Sequence, residues 1–137
     1  MADTMSNEEI QATWGAMVQD IRTGVLLTLR NGQPFGPHVP FIFGRDWTRA
    51  YLHLSRLARH TNHVLVDPRL SLFLSEADDP KKNPLAFKRM NLQGVGAMLM
   101  PESPHYEEVK NQYVARFPQS KMLFGLGGFQ SMGIAVD

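Results

Sequence analysis

The sequence predicts a small, mainly β protein of the α+β class: an antiparallel barrel of six strands with three peripheral helices. Short runs of alternating apolar residues are joined by connections of hairpin length, and helical spacing of apolar residues occurs in only three stretches. Parallel strands need crossover connections of about a dozen residues or more, usually helical. The short connections therefore favour the antiparallel barrel over a doubly wound parallel sheet.

Composition indicates one domain, 1–137. The chain of 137 residues is 43% apolar and 20% charged with a formal net charge of +1, which gives no electrostatic case for binding nucleic acid or a membrane surface. The absence of cysteine excludes disulfides, thiolate metal sites and a cysteine nucleophile. The acidic, polar N-terminus is unlike a signal peptide, and no apolar run is long enough to cross a bilayer. We therefore expect a cytoplasmic protein.

The N-terminal segment predicts a helix over about 6–21. Ser6 and Glu9 have the spacing of a capping box, which satisfies backbone donors at a helix start. Apolar residues follow at helical spacing and should face the core: Ile10, Trp14, Met17 and Ile21. Gly24 separates this helix from an apolar run at 25–29, which predicts a buried strand.

A hairpin is predicted next. Asn31 and Gly32 favour a two-residue turn because both positions of that turn need a positive φ. The return strand is expected at about 35–43. Prolines 37 and 40 remove two backbone donors from it, so it should lie at an edge or carry a bulge, with backbone groups free for a ligand or a second subunit.

The remaining strands and turns follow from the same rules. Strands are predicted at 48–54, 70–75, about 86–99 and about 129–136, with turns at 44–46 and 125–128 and an exposed loop at 77–84. Gly94 and Gly96 lie inside the strand at 86–99. Glycines at such positions indicate a bulge, a barrel bend or the close approach of another backbone.

Two further helices are predicted. The first ends at Asp67 because the residue before a proline avoids helical angles, and its buried side should hold Leu57, Thr61, Val64 and Leu65. The second starts at Ser103, with Pro104 in its first turn, and ends at Pro118. Its apolar face is Tyr106, Val109, Tyr113 and Phe117.

Six polar side chains are concentrated within eight residues at the start of the second predicted helix: Ser55, Arg56, Arg59, His60, Thr61 and Asn62. All of them except Arg59 are predicted to form an anion site. A helix start has unpaired N–H groups and a positive dipole end, so hydroxyls and guanidinium groups there make a site for phosphate or carboxylate. Arg89 could reach this site if the strands at 70–75 and 86–99 are neighbours. The alternative is that Ser55 or Thr61 simply caps the helix and the arginines are solvated.

Beside this site, the proline-broken strand at 36–41 could offer N–H and C=O groups to a flat polar heterocycle. A phosphate with a flat ring describes a mononucleotide-type cofactor. Other chemistry is poorly supported: Ser55 and His60 have no nucleophile-elbow context, and the pair His60 and His63 has no carboxylate companion, so no metal site is expected. His38 and His53 are expected to be satisfied interior or rim histidines.

Several segments resemble the pyridoxamine 5′-phosphate oxidase-like FMN-binding split barrels, most closely their haem-utilisation branch. They are Gly-Val-Leu-Leu-Thr-Leu from Gly24, Pro-Phe-Gly-Pro-His-Val-Pro from Pro34, Leu-Ser-Arg-Leu-Ala-Arg-His-Thr-Asn from Leu54, Asp-Pro-Arg-Leu-Ser-Leu from Asp67, Arg-Met-Asn-Leu-Gln-Gly-Val-Gly from Arg89 and Tyr-Val-Ala-Arg-Phe-Pro from Tyr113. The resemblance covers about residues 20–136.

The resemblance implies a homodimer of six-stranded split barrels with FMN in a groove between subunits. It implies that the phosphate lies at Ser55, Arg56, His60 and Thr61, with help from Arg89. The flavin ring would lie along His38, Val39 and Pro40, with Gln93 as a further contact. Relatives that oxidise pyridoxamine phosphate or handle haem carry C-terminal segments that hold those ligands. This chain ends at Asp137, directly after its last predicted strand, so neither activity is expected.

Two functions are compatible with these features. The first is an FMN-dependent oxidoreductase acting on an unidentified small molecule, in which the flavin carries the electron chemistry and no catalytic acid or base is assigned. The second is a non-catalytic binder of flavin, haem or another tetrapyrrole. Candidate axial ligands are then His38, His53, His60, His63 and His105.

Overall fold

The computed structural model describes residues 6–44, 49–125 and 129–136. Its helices are α1 (Asn7–Asp20), α2 (Arg59–Val66), α3 (Tyr106–Arg116) and α4 (Lys121–Phe124). Its strands are β1 (Thr23–Arg30), β2 (Gln33–Phe35), β3 (His38–Pro40), β4 (Ile42–Phe43), β5 (Arg49–Ser55), β6 (Arg69–Ser75), β7 (Arg89–Leu99) and β8 (Phe129–Val136). Short 3₁₀ turns occur at Pro84–Ala86 and Pro118–Ser120.

The strands form one antiparallel sheet in the order β2-β1-β6-β7-β8-β5-β4, and β3 also pairs with β1. The predicted class, a mainly β α+β protein with an antiparallel barrel, is confirmed. The number of strands was wrong, since the described residues contain eight rather than six. The difference arises in the proline-rich stretch that was expected to form one strand at 35–43.

The segment 38–43 closes the barrel by joining its two edges. Its first part, β3, pairs with β1, and its second part, β4, pairs with β5. Between them Phe41 is completely buried, and its N–H donates to the carbonyl of Arg22 at 3.1 Å. Prolines 34, 37 and 40 prevent a continuous ladder here because each lacks a backbone N–H. The predicted return strand is therefore split into β2, β3 and β4.

The local sequence rules hold at the N-terminal helix and the first hairpin. Ser6 is the N-cap of α1, and its Oγ accepts a hydrogen bond from the Glu9 N–H at 3.2 Å. Asn31 and Gly32 have φ values of 51° and 75°, as the predicted turn requires. Of the predicted apolar stripe, Met17 is buried, whereas Ile10 at the first turn is half exposed.

Alternating residues of the strands fill the barrel. The interior cluster includes Leu26, Leu72, Leu74, Met132 and Ile134, all completely buried. The stretch 25–29 was expected to be buried throughout, but β1 alternates between the two faces of the sheet. On the outer face α3 covers a second cluster, whose members are Ile42, Val109, Tyr113 and Phe117.

Helix α2 packs closely on β7. A Cβ built on Gly96 would lie 2.8 Å from Val64 Cγ1 and 2.9 Å from Leu70 Cδ2. The predicted close approach of another backbone is therefore wrong at Gly96, because the nearest atoms are side chains of α2 and of the barrel interior. The predicted buried face of α2 was partly wrong: Thr61 and Val64 are buried, but Leu57 is 90% exposed and Leu65 60% exposed.

Other boundaries differ modestly from prediction. Helix α3 begins at Tyr106 rather than Ser103, and α4 was not predicted because a helix of one turn gives no periodic signal. The loop at 77–84 is mostly exposed, as expected. The predicted turns at 44–46 and 125–128 lie partly outside the described residues. The first residue of the strand predicted at 48–54 also lies outside them.

We expect Gly96→Ala to lower the free energy of unfolding by about 1–3 kcal/mol, because the added methyl group overpacks the contact with α2. Combining it with Val64→Ala should recover part of that loss, since the two substitutions relieve each other. Urea unfolding measures both effects. As a control, Gly15→Ala in α1 has no atom within 4 Å of the new Cβ and should not destabilise. If the double variant loses as much free energy of unfolding as the two single variants lose together, this packing is contradicted.

Candidate functional site

Helix α2 starts without a side-chain cap. Its N-cap is Ala58, which makes no side-chain hydrogen bond. The Oγ of Ser55 instead accepts from the Leu57 N–H at 3.2 Å, and the Thr61 hydroxyl donates to the Ser55 carbonyl at 2.6 Å. The alternative in which Ser55 or Thr61 caps the helix is therefore wrong. The first-turn N–H groups of α2 remain available to an anion.

Three polar side chains surround this helix start. Ser55 is half-buried, and its hydroxyl proton is free to donate because its contact with Leu57 uses only the oxygen as acceptor. Arg56 is exposed. Burial, followed by the nearby charge of His63, lowers the pKa of His60, so this half-buried ring is a neutral donor or acceptor at pH 7. The set provides one fixed cation, one hydroxyl and one imidazole.

Strand β3 carries backbone groups that are not paired with β1. The Pro37 carbonyl accepts from the Leu26 N–H of β1, and the Phe41 N–H donates to the carbonyl of Arg22, directly before β1. Because ladder bonds alternate along an antiparallel pair, the N–H and C=O of His38 and the C=O of Pro40 point away from β1. These groups are available to a ligand.

Other predicted site residues lie elsewhere. Val39 is buried inside the barrel, and the Thr61 hydroxyl is committed to the backbone. Asn62 lines a cavity between α2 and the tip of the β1–β2 hairpin. Gln93 is exposed on the outer face of β7, opposite Ser71 of β6.

Arg89 is remote from the start of α2 within one chain. Strands β6 and β7 are neighbours, as the prediction required, but Arg89 pairs with Ser75 at the end of β6 that is distant from α2. The six-residue separation from Arg69, where α2 leads into β6, corresponds to about 20 Å along the strand. Any contact between Arg89 and this site would have to come from a second copy.

Sequence reasoning missed the role of His63. This ring is buried, its Nδ1 lies 2.9 Å from the Thr28 hydroxyl, and it packs edge-on against Phe35. The contact ties α2 to the β1–β2 hairpin across 35 residues of sequence. No local pattern could have predicted it. Within the described ranges no group of three His, Cys, Asp or Glu side chains could hold a metal ion.

His53 is buried between aromatic rings. It stacks on Phe124 at 3.9 Å and Phe129 at 5.7 Å, and its Nδ1 lies 3.1 Å from the Ser131 hydroxyl. The expectation of a satisfied interior histidine holds for Nδ1, whereas the buried Nε2 has no hydrogen-bond partner among the residues that the structure describes. Burial lowers the pKa of His53, so the folded protein holds it neutral.

We therefore expect acid to destabilise the protein through His53. Because its folded pKa lies below the ordinary value of 6.5, its contribution is present above pH 6.5 and is lost as the pH falls below that value. Urea unfolding from about pH 8 to pH 5 should show a steeper loss in the parent protein than in His53→Gln. The exposed His105→Gln variant should retain the parent slope. Identical slopes for the parent and His53→Gln would contradict the assignment.

No family model and no curated protein matches the chain. Solved structures do. HutZ, the haem storage protein from Vibrio cholerae, has a TM-score of 0.80 at 23% identity, with 93% of this chain and 89% of that chain covered. A FAD-binding protein from Mesorhizobium loti has a TM-score of 0.73 at 13% identity, covering 93% and 87%. A candidate pyridoxamine 5′-phosphate oxidase from Listeria innocua has a TM-score of 0.70 at 16% identity, covering 94% of each chain.

At these identities the likenesses establish the fold. The chain has the split-barrel fold of the pyridoxamine 5′-phosphate oxidase-like proteins, and the resemblance predicted from the sequence is confirmed at that level. A haem-binding protein from Mycobacterium smegmatis is also among its structural neighbours, with a TM-score of 0.78 at 23% identity, covering 99% of this chain and 53% of that chain. In the part of the chain that the structure describes, no helix has the length and apolar character needed to span a bilayer.

Proposed function

We propose that this chain is a cytoplasmic FMN-binding flavoprotein that works as a homodimer and acts as an oxidoreductase on a small molecule. The observation that carries the proposal is the uncapped start of α2, with Ser55 and Arg56 directly before it in the chain. A second feature is the backbone of His38, which is not paired with β1. The first suits a phosphate, and the second suits the amide edge of a flat ring.

The donor set fits FMN. Arg56, the Ser55 hydroxyl, His60 and the first N–H groups of α2 would hold the phosphate, and the backbone of His38 and Pro40 would pair with the ring. A bound flavin supplies hydride or electron transfer, which no side chain of this site can perform. The protein groups bind and orient the cofactor, and the low pKa of His60 keeps that imidazole neutral before an anion binds.

In this proposal a second copy of the chain packs on the outer face of the sheet. Leu27 of β1 is 36% exposed and Val95 of β7 is 44% exposed on this face, and Gln93 lies on β7 two residues before Val95, on the same side. Exposed apolar residues on a sheet face favour association. A partner lying on this face would also provide the only route by which Arg89 reaches a phosphate at α2. We therefore propose that the partner contributes Arg89.

We predict that the purified protein binds FMN, with flavin absorbance at about 450 nm. Replacing Arg56 by alanine should weaken binding about 10- to 100-fold, because a hydrogen bond between charged groups contributes about 1.5–3 kcal/mol. Replacing Arg89 should have a similar effect. Fluorescence quenching of FMN on titration measures both affinities. The control is Lys81→Ala in the exposed loop, which should bind as the parent does.

Two results would count against the flavin proposal. A protein that neither contains FMN nor gains thermal stability when FMN is added has no such site, because a ligand of the native state must raise stability. Equal weakening by Arg56→Ala and Lys81→Ala would show that general charge, not a defined phosphate contact, governs binding.

A haem or tetrapyrrole binder is the second candidate, and the likeness to HutZ favours it. Of the five candidate ligands, His53 and His63 are buried and bonded through Nδ1, whereas His38 and His105 are exposed. Titration with haemin separates the candidates. A stoichiometric Soret shift abolished by His38→Ala or His105→Ala, without FMN binding, would replace the flavin proposal.

A further inference from the structure

A polar cavity borders α2, and neither Ser55, Arg56 nor His60 belongs to its lining. It has a volume of about 630 Å³ and lies between the tip of the β1–β2 hairpin and α2. Its lining includes Arg30, Asn31 and Gly32 from the hairpin and Arg59, Asn62 and His63 from the helix. Binding sites for small molecules commonly have volumes of about 300–1,000 Å³.

Two arginines from different elements line this cavity, Arg30 of β1 and Arg59 of α2. Within residues 6–44, 49–125 and 129–136, neither Arg30 nor Arg59 has an ion-pair or hydrogen-bond partner. The carboxylate in the same lining, Asp67, is already engaged by Arg69, with Nη2 to Oδ2 at 2.6 Å and Nε to Oδ1 at 2.9 Å. That contact lowers the pKa of the Asp67 carboxyl to about 2, so it stays ionised and paired. The cavity therefore has two uncompensated positive charges.

We infer that this cavity binds the phosphate group of a small phosphorylated ligand between Arg30 and Arg59. A guanidinium group presents a planar fork of donors that matches an oxyanion through paired hydrogen bonds. A carboxylate offers two oxygens and a single negative charge to two such groups. A phosphomonoester has three terminal oxygens and a charge of about −1.5 to −2 at pH 7, which matches both groups.

The neighbouring groups support this assignment. The side-chain amide of Asn62 and the backbone N–H groups of the Asn31-Gly32 turn add neutral donors along the lining. His63 is held in place by Thr28, so the wall formed by α2 has a fixed position relative to the hairpin. The volume left beyond a phosphate group would take the organic part of the ligand. This inference does not depend on flavin binding, since Arg56 lies outside the cavity lining.

The test is a titration of the isotopically labelled full chain with inorganic phosphate at constant ionic strength, followed by NMR. Saturable shifts are expected at the Asn31 and Gly32 amides and at the Asn62 side-chain amide. Acetate at equal ionic strength should bind at least about tenfold more weakly. Arg30→Gln and Arg59→Gln should each weaken phosphate binding about tenfold or more, because each removes a charge-assisted contact.

Matched variants make every outcome decisive. Lys81→Gln should leave the phosphate-induced shifts at the cavity unchanged, and unfolding curves without phosphate should show that the variants at Arg30, Arg59, Arg56 and Lys81 are all folded. If phosphate shifts survive in Arg30→Gln and Arg59→Gln but disappear in Arg56→Gln, the ion binds at the start of α2 and the inference is overturned. Non-saturable shifts, or equal affinity for acetate, would overturn it as well.

Discussion

Closure of the barrel by a proline-interrupted segment is the constraint on which the rest of the structure depends. Six residues must leave the edge at β1 and join the edge at β5, with Phe41 buried at the crossing. Prolines at 37 and 40 supply no N–H, so no continuous ladder runs through this segment. The same geometry leaves the backbone N–H and C=O of His38 unpaired with β1. The segment that closes the core therefore also frees backbone groups for a ligand.

Helix α2 is the second element on which the structure depends, because it borders both the polar residues at its start and the cavity at Arg30. Val64 packs on Gly96 and His63 bonds Thr28, which together fix the helix against β7 and the first hairpin. One face of the helix then lines the cavity at Arg30. The absence of a side-chain cap leaves the helix N–H groups for a ligand, at a cost to the isolated helix of about 1 kcal/mol. Such local costs are typical of functional sites.

Local rules account for much of the fold, and long-range register accounts for what was missed. The Ser6 cap and the Asn31-Gly32 turn depend on residues three or fewer apart, so the sequence alone predicts them. The break of the return strand was predicted from its prolines, but its division into three parts depends on pairing with two separate strands. The position of Arg89 depends on the β6–β7 register, and the contact of His63 with Thr28 joins distant segments. Spacing along the chain carries no information on either.

The account is tested most directly by native mass spectrometry of the protein purified without added cofactor, because one spectrum reports subunit count and ligand mass together. The account predicts a species of twice the 15.5 kDa chain mass carrying two molecules of FMN. On mild activation the flavin should leave as the dimer dissociates, since both subunits contribute to each site. A monomer, or a dimer that carries no flavin and takes up none when FMN is supplied, would contradict it.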